Sequence, residues 1–87
     1  MYNVTIIKKA QRNAATMPKA VQNKLKALVQ SLKVSGPIQP LFWHYSKLEN
    51  DRYHCHIALN WVACWTCKDG SIDIEVYYAG SREKAPY

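Results

Sequence analysis

The sequence predicts one α+β domain in which two helices near the amino terminus pack on one face of an antiparallel sheet. Three observations lead there. The stretch from Pro18 to Val34 carries Val21, Leu25, Leu28, Val29 and Leu32 at helical spacing. Three later segments are apolar at every second residue, the period of a strand. A chain of 87 residues has room for one modest core and buries only about 60–70% of its unfolded surface. The resulting order β-α-α-β-β-β, with the helices gathered ahead of most strands, is the α+β pattern. No repeat, low-complexity tract or linker divides residues 1–87, so they form a single domain.

Taken in order, Tyr2 to Lys8 contains Val4, Ile6 and Ile7 and reads as a strand. Lys9 to Met17 turns to helix-forming residues over a short length. In the next helix, Thr16 is expected to cap the start and Pro18 to occupy the first turn, where its missing N–H costs nothing. Gly36 followed by Pro37 stops it. Lys19, Lys26 and Lys33 recur every seven residues and form a basic line, which is usually only a solvated face but can also track a phosphate backbone. Ser35 to Arg52, with two prolines and several aromatics, reads as an ordered loop tied down by Leu41, Phe42 and Trp43. Three strands follow: Tyr53 to Leu59, Trp61 to Cys67 and Ser71 to Tyr78.

Asp69-Gly70 is the strongest hairpin signal in the chain. A two-residue turn there pairs Cys67 with Ile72, Trp65 with Ile74 and Ala63 with Val76 on an apolar face, and Thr66 with Asp73, Cys64 with Glu75 and Val62 with Tyr77 on a more polar one. Burying Tyr53, Cys55, Ile57 and Leu59 sends His54, His56 and Ala58 to that second face. A three-residue loop Leu59-Asn60-Trp61 then sets His56 across from Cys64 and His54 across from Thr66, with Glu75 and Asp73 one strand further, on the order of 10 Å from the histidines. Cys64 and Cys67 would point to opposite faces of a continuous strand and so could share a zinc ion only if the strand breaks there. A set of His54, His56 and Cys64 is geometrically better. Spacing alone leaves the two histidines open as catalytic groups, ligands or ordinary surface.

Twelve Lys and Arg against six Asp and Glu give a formal charge of +6, which suits RNA, DNA or an acidic protein. Lys8, Lys9 and Arg12 come too early for a secretory leader, and no apolar run nears the roughly 20 residues that span a bilayer. Cys55, Cys64 and Cys67 are an odd number within strand-like segments, a poor match to a disulfide scaffold and consistent with a reducing cytoplasm. No metal and no cofactor is expected.

The stretches "SKLENDRYHCHIAL" and "WVACWTCKDGSIDIEVYYAGSREKAPY" resemble the RelE/ParE superfamily of toxins from bacterial toxin-antitoxin systems. The order of elements agrees over nearly the whole chain; residue-level agreement lies at Lys47-Leu48, Tyr53 and the tail from Gly80 to Tyr87. The resemblance implies a concave sheet face that takes mRNA in the ribosomal A site, and cleavage by attack of a ribose 2′-hydroxyl on the adjacent phosphate. Such chemistry asks for a base, cations at the phosphorane and an acid for the leaving oxygen. Arg82 corresponds to a phosphate-stabilising arginine and Tyr87 to a terminal tyrosine near the scissile nucleotide. His54 and His56 stand where many RelE-like proteins have lysines, and Val62 where they have an arginine. The implied catalytic set is therefore His54, His56, Arg82 and Tyr87, with Lys47, Lys84, Lys19, Lys26, Lys33, Trp43 and His44 as RNA-contacting candidates. Implied partners are a cognate antitoxin, the ribosome and mRNA, and operator DNA through the antitoxin complex, with no membrane. Two other functions stay open: a ParE-like inhibitor of DNA gyrase, and a binding module without catalysis.

Overall fold

The computed structural model describes all residues from Met1 to Tyr87. Strand β1 (Asn3–Ile6) leads into helices α1 (Lys8–Ala15) and α2 (Lys19–Ser35), followed by strands β2 (Ser46–Lys47), β3 (Arg52–Ala58), β4 (Trp61–Thr66) and β5 (Asp73–Ser81), and a closing 3-10 turn (Arg82–Lys84). The strands form one sheet in the order β1-β5-β4-β3-β2. The α+β architecture with two helices on one face is the expected one. Two details differ: β1 runs parallel to β5, which makes the sheet mixed, and the segment read as loop contributes the two-residue edge strand β2.

Helix α2 forms because its apolar stripe has a sheet to cover. Val21, Leu25, Leu28 and Leu32 are buried and join Tyr53, Cys55, Ile57, Ala63, Trp65, Ile74, Val76 and Ala79 in one core. Leu28 and Leu32 are wholly inaccessible, and each contributes about 1.5–3 kcal/mol by leaving water. Thr16 does not cap α2. Its hydroxyl donates back to the Asn13 carbonyl at 2.7 Å and so closes α1, while Pro18 occupies the cap position of α2 without a side-chain bond. Gly36 ends α2 with φ +87°, which favours glycine, and a Cβ there would meet the Tyr2 ring at 2.6 Å and have to displace it.

The register differs from expectation on both sides of β4. Ala58 pairs with Trp61 and His56 with Val62, so the turn is Leu59-Asn60, and His54 faces Cys64 rather than Thr66. Toward β5, Trp65 pairs with Val76 and Cys64 with Tyr78, leaving Tyr77 as an extra residue in a bulge. The Asp69-Gly70 turn does form: Ser71 N–H donates to the Lys68 carbonyl at 3.0 Å and Gly70 has φ +79°. The hairpin is not zipped behind it, because Cys67 N–H donates to Asp51 and the Ile72 carbonyl accepts from Asn3 of β1. Two expected core residues lie outside as a result. Ile72 is 56% exposed beyond the end of β5, and Leu59 is 64% exposed in its turn.

Candidate active site

A slip of two residues preserves which face a side chain takes. Arg52, His54 and His56 therefore still point away from the helices, and chain segments from both sides close over them. On one side, His56 N–H donates to the Trp43 carbonyl at 2.8 Å, which fastens the loop carrying Trp43 and His44 to β3. On the other, Arg82 N–H donates to the Asn60 carbonyl at 2.8 Å, which turns the tail back across the sheet. The outcome is a continuous row of rings. His44 lies 4.8 Å from His56 between ring centroids, His56 lies 6.0 Å from His54, and His54 lies 4.2 Å from Tyr87. Trp43 flanks the row at 4.7 Å from His44 and 5.6 Å from His56.

His54 is 8% exposed under Tyr87, and its Nδ1 is 2.9 Å from the Ser46 hydroxyl on β2. His56 is half-buried with an Nδ1 that has no hydrogen-bond partner. His44 takes a left-handed backbone, φ 53°, which is uncommon for a residue with a side chain and turns its ring toward His56. Burial, reinforced by the neighbouring His56 and His44, pulls His54 below the usual imidazole range, with an opposing pull from the Ser46 main chain. Burial also lowers His56, helped by His44 and by the Arg82 guanidinium. Tyr87 is raised, by burial first and then by the Cys64 thiol, against the pull of Arg82. The site thus holds neutral imidazoles, a permanent guanidinium and a protonated phenol around one spot.

The unfolded chain takes up protons at histidines that the folded chain keeps neutral. Stability is therefore present above about pH 6.5 and is lost as the pH falls from there through the folded values of His54 and His56. Thermal unfolding followed from pH 8 to pH 5 is expected to show a falling midpoint, and the double variant H54Q/H56Q a flatter one. A wild-type midpoint that stays level over that range contradicts the assignment.

The expected carboxylates are absent from this row. Thr66 pairs with Glu75, and Asp73 accepts a hydrogen bond from Asn3 at 3.1 Å near the β1 edge. Of the other candidates, Trp43, His44, Arg82 and Tyr87 are brought together with the histidines. Lys26 and Lys33 line a groove between α1 and α2, on the far side of the sheet, and Lys19 is exposed in the first turn of α2. The Lys47 ammonium lies over the Tyr53 ring at 5.7 Å, toward the core face, and Lys84 lines a cleft with Asn13, Thr16, Trp61 and Tyr78. Two residues of the site were not foreseen. Arg52 lies two residues before His54 on the same face and acts on Cys64 and Tyr77, so it was legible from the alternation of the strand. Ser46 was not, since only strand pairing brings it to His54.

Val62 and Cys64, expected on an open face, are wholly buried. All three thiols are free. Burial pushes Cys55 and Cys64 up to about 12 from an ordinary 9.0. At pH 8 each then carries about a thousandfold less thiolate, the species that reacts. Cys55 and Cys64 are expected to resist a thiol reagent in the native protein and to react within minutes once it is unfolded in denaturant. Rapid native labelling of either contradicts their burial.

Neither family sequence models nor curated protein sequences match the chain. Solved structures do. A chain of the archaeal RelE–RelB complex from Pyrococcus horikoshii OT3 superposes with a TM-score of 0.80 at 19% identity, over 97% of this chain and 98% of that one. A chain of the YoeB–YefM complex from Staphylococcus aureus gives 0.71 at 17% identity, over 94% and 98%. The isolated RelE toxin of E. coli gives 0.71 at 16% identity, over 99% and 89%. The chain has the RelE-like toxin fold, in agreement with the resemblance seen in its sequence.

Proposed function

We propose that this protein is the toxin of a toxin-antitoxin pair and cleaves mRNA, at the ribosome, by driving a ribose 2′-hydroxyl onto the adjacent phosphate. The observation that carries the reading is the row His44, His56, His54, Tyr87 with Arg82 beside it, on the sheet face opposite the helices. In this mechanism His54, kept neutral by burial, takes the 2′-proton as general base. Arg82 meets the charge that develops on the phosphorane oxygens, and Arg52 supplies a second cation on the same face, which offsets the apolar Val62. His56 acts in its protonated form, a minor one at neutral pH because burial, then His44 and Arg82, lower its pKa; it gives that proton to the departing 5′-oxygen, so one product ends in a 2′,3′-cyclic phosphate and the other in a 5′-hydroxyl. Tyr87 offers a ring for stacking on the scissile nucleotide.

An antitoxin is the partner we infer, on the strength of the fold shared with chains of the RelE–RelB and YoeB–YefM complexes. A chain with a charge of +6 suits both an acidic antitoxin and RNA. No helix is long and apolar enough to cross a membrane. The test is a pulse of expression in a bacterial host, with labelled protein synthesis and mRNA ends followed together. Arrested translation with new ends inside codons supports the reading. Arrested DNA synthesis with intact mRNA overturns it in favour of a gyrase inhibitor.

A further inference from the structure

The row of rings has two unlike ends. Tyr87 closes the His54 end, at 4.2 Å between ring centroids, while Trp43 and His44 stand at the His56 end, at 5.6 and 4.8 Å. The Trp43 main chain is fixed there by the hydrogen bond from His56 N–H, 2.8 Å long. Beside it lies a cavity of about 340 Å³, lined by Lys24, Leu41, Phe42, Trp43, His56 and Leu59 among others. Leu41 and Leu59 are mostly exposed and Trp43 is half-exposed, so three large apolar side chains stand in water around one concavity, the mark of a ligand site. Lys24 is the only Lys, Arg, Asp or Glu in the lining. An apolar, partly aromatic pocket with one ammonium suits a flat ring carried on a phosphate chain.

The chemistry proposed above gives the RNA strand a direction. In an in-line displacement the attacking 2′-oxygen and the departing 5′-oxygen lie on opposite sides of the phosphorus, so the base and the acid lie on opposite sides as well. With His54 as base and His56 as acid, the nucleotide that supplies the 2′-hydroxyl lies at the Tyr87 end, and the nucleotide that departs lies at the Trp43 end. Arg82 acts on both His56 and Tyr87, as a group between the two ends does. We propose that the cavity beside His56 is the subsite for the base on the 3′ side of the cut, that Trp43 is the face on which this base stacks, and that Lys24 meets the phosphate that follows it. The direction of the strand rests on the nuclease reading, to which the subsite adds a specificity. Stacking carries no hydrogen-bond code, so the choice is graded: purines, with the larger π-face, are taken ahead of pyrimidines.

The test maps mRNA ends after a pulse of expression, with wild type, W43A, W43L, W43F and K24Q compared at equal protein levels. Wild type is expected to leave a purine on the 3′ side of the cut more often than the composition of the mRNA supplies. W43A and W43L are expected to lose that bias and W43F to keep most of it, because of the three only phenylalanine retains a ring. K24Q is expected to cut less at every sequence with the bias intact. On ribosomes programmed with mRNA, W43A is expected to lower kcat/KM about 5- to 100-fold for a purine at that position, the worth of one lost base stack, and by less for a pyrimidine. A role confined to holding the loop would slow cutting at all sequences alike, and the main-chain bond from His56 N–H survives every one of these variants. Cut mRNA whose 3′ bias persists in W43A and W43L overturns the subsite alone and leaves the exposed patch to a protein partner. mRNA left whole by the wild type overturns the nuclease reading, and the subsite with it.

Discussion

Replacing His54 with alanine is expected to lower RNA cleavage by about 10²- to 10⁴-fold, the contribution of a positioned general base. Arg82→Ala is expected to cost about 10²- to 10³-fold, as for loss of one group that stabilises charge in the transition state. Both should fall mainly in kcat, because the groups act on charges that develop during reaction rather than on the bound ground state. Neither should unfold the chain. Arg82 is exposed and holds the tail through its main chain, and His54→Gln keeps most of the buried volume if alanine proves too small. The pH profile should be bell-shaped, with a maximum on the acid side of about 6.5, because both imidazoles are pulled down from their ordinary value. Lys26→Ala and Lys33→Ala provide the contrast. They line a groove on the helical side of the sheet and should leave single-turnover cleavage unchanged. Full growth arrest by the H54A and R82A proteins, at equal expression, would remove these residues from the mechanism.

The contrast between histidines and lysines shows what could be read from the chain and what could not. Period-two alternation placed His54 and His56 away from the helices, and this holds even though they are displaced by two residues along β4, because an even slip keeps faces. The same alternation, carried one step back, places Arg52 beside them. Distances across the sheet were not legible. They depend on the bulge at Tyr77 and on Cys67 and Ile72 finding partners outside the hairpin, neither of which leaves a mark in a pattern of apolar residues. The lysines show the opposite failure. Spacing of seven correctly described one line on α2, but which side of the sheet that line serves is a tertiary fact. Ser46 and His44 are legible only once the loop is folded, one through ladder pairing and the other through a left-handed backbone.

That loop depends on Trp65, whose removal is expected to have the largest effect on stability of any single substitution. Trp65 is wholly buried and is flanked by Tyr53 and Tyr45 at 6.1 and 6.3 Å between ring centroids. Its indole N–H donates to the Pro37 carbonyl at 3.0 Å. It therefore joins β4 to the start of the segment that later presents Trp43 and His44. Trp65→Ala is expected to cost about 3–5 kcal/mol through lost burial and the cavity left behind. At roughly 0.05–0.15 kcal/mol per residue, the whole domain has only about 4–13 kcal/mol to lose. Denaturant titration followed by circular dichroism should show the midpoint collapsing, and a loss below about 1 kcal/mol would contradict the packing described. Trp65→Phe separates the two roles. It retains most of the stacking and leaves the Pro37 carbonyl without its donor, at a cost of about 1–3 kcal/mol. Because the bond it removes anchors the loop, W65F should raise amide exchange from Ile38 to Tyr45 more than in α2. Cleavage should fall as well, since the Trp43 carbonyl that receives His56 N–H belongs to that loop.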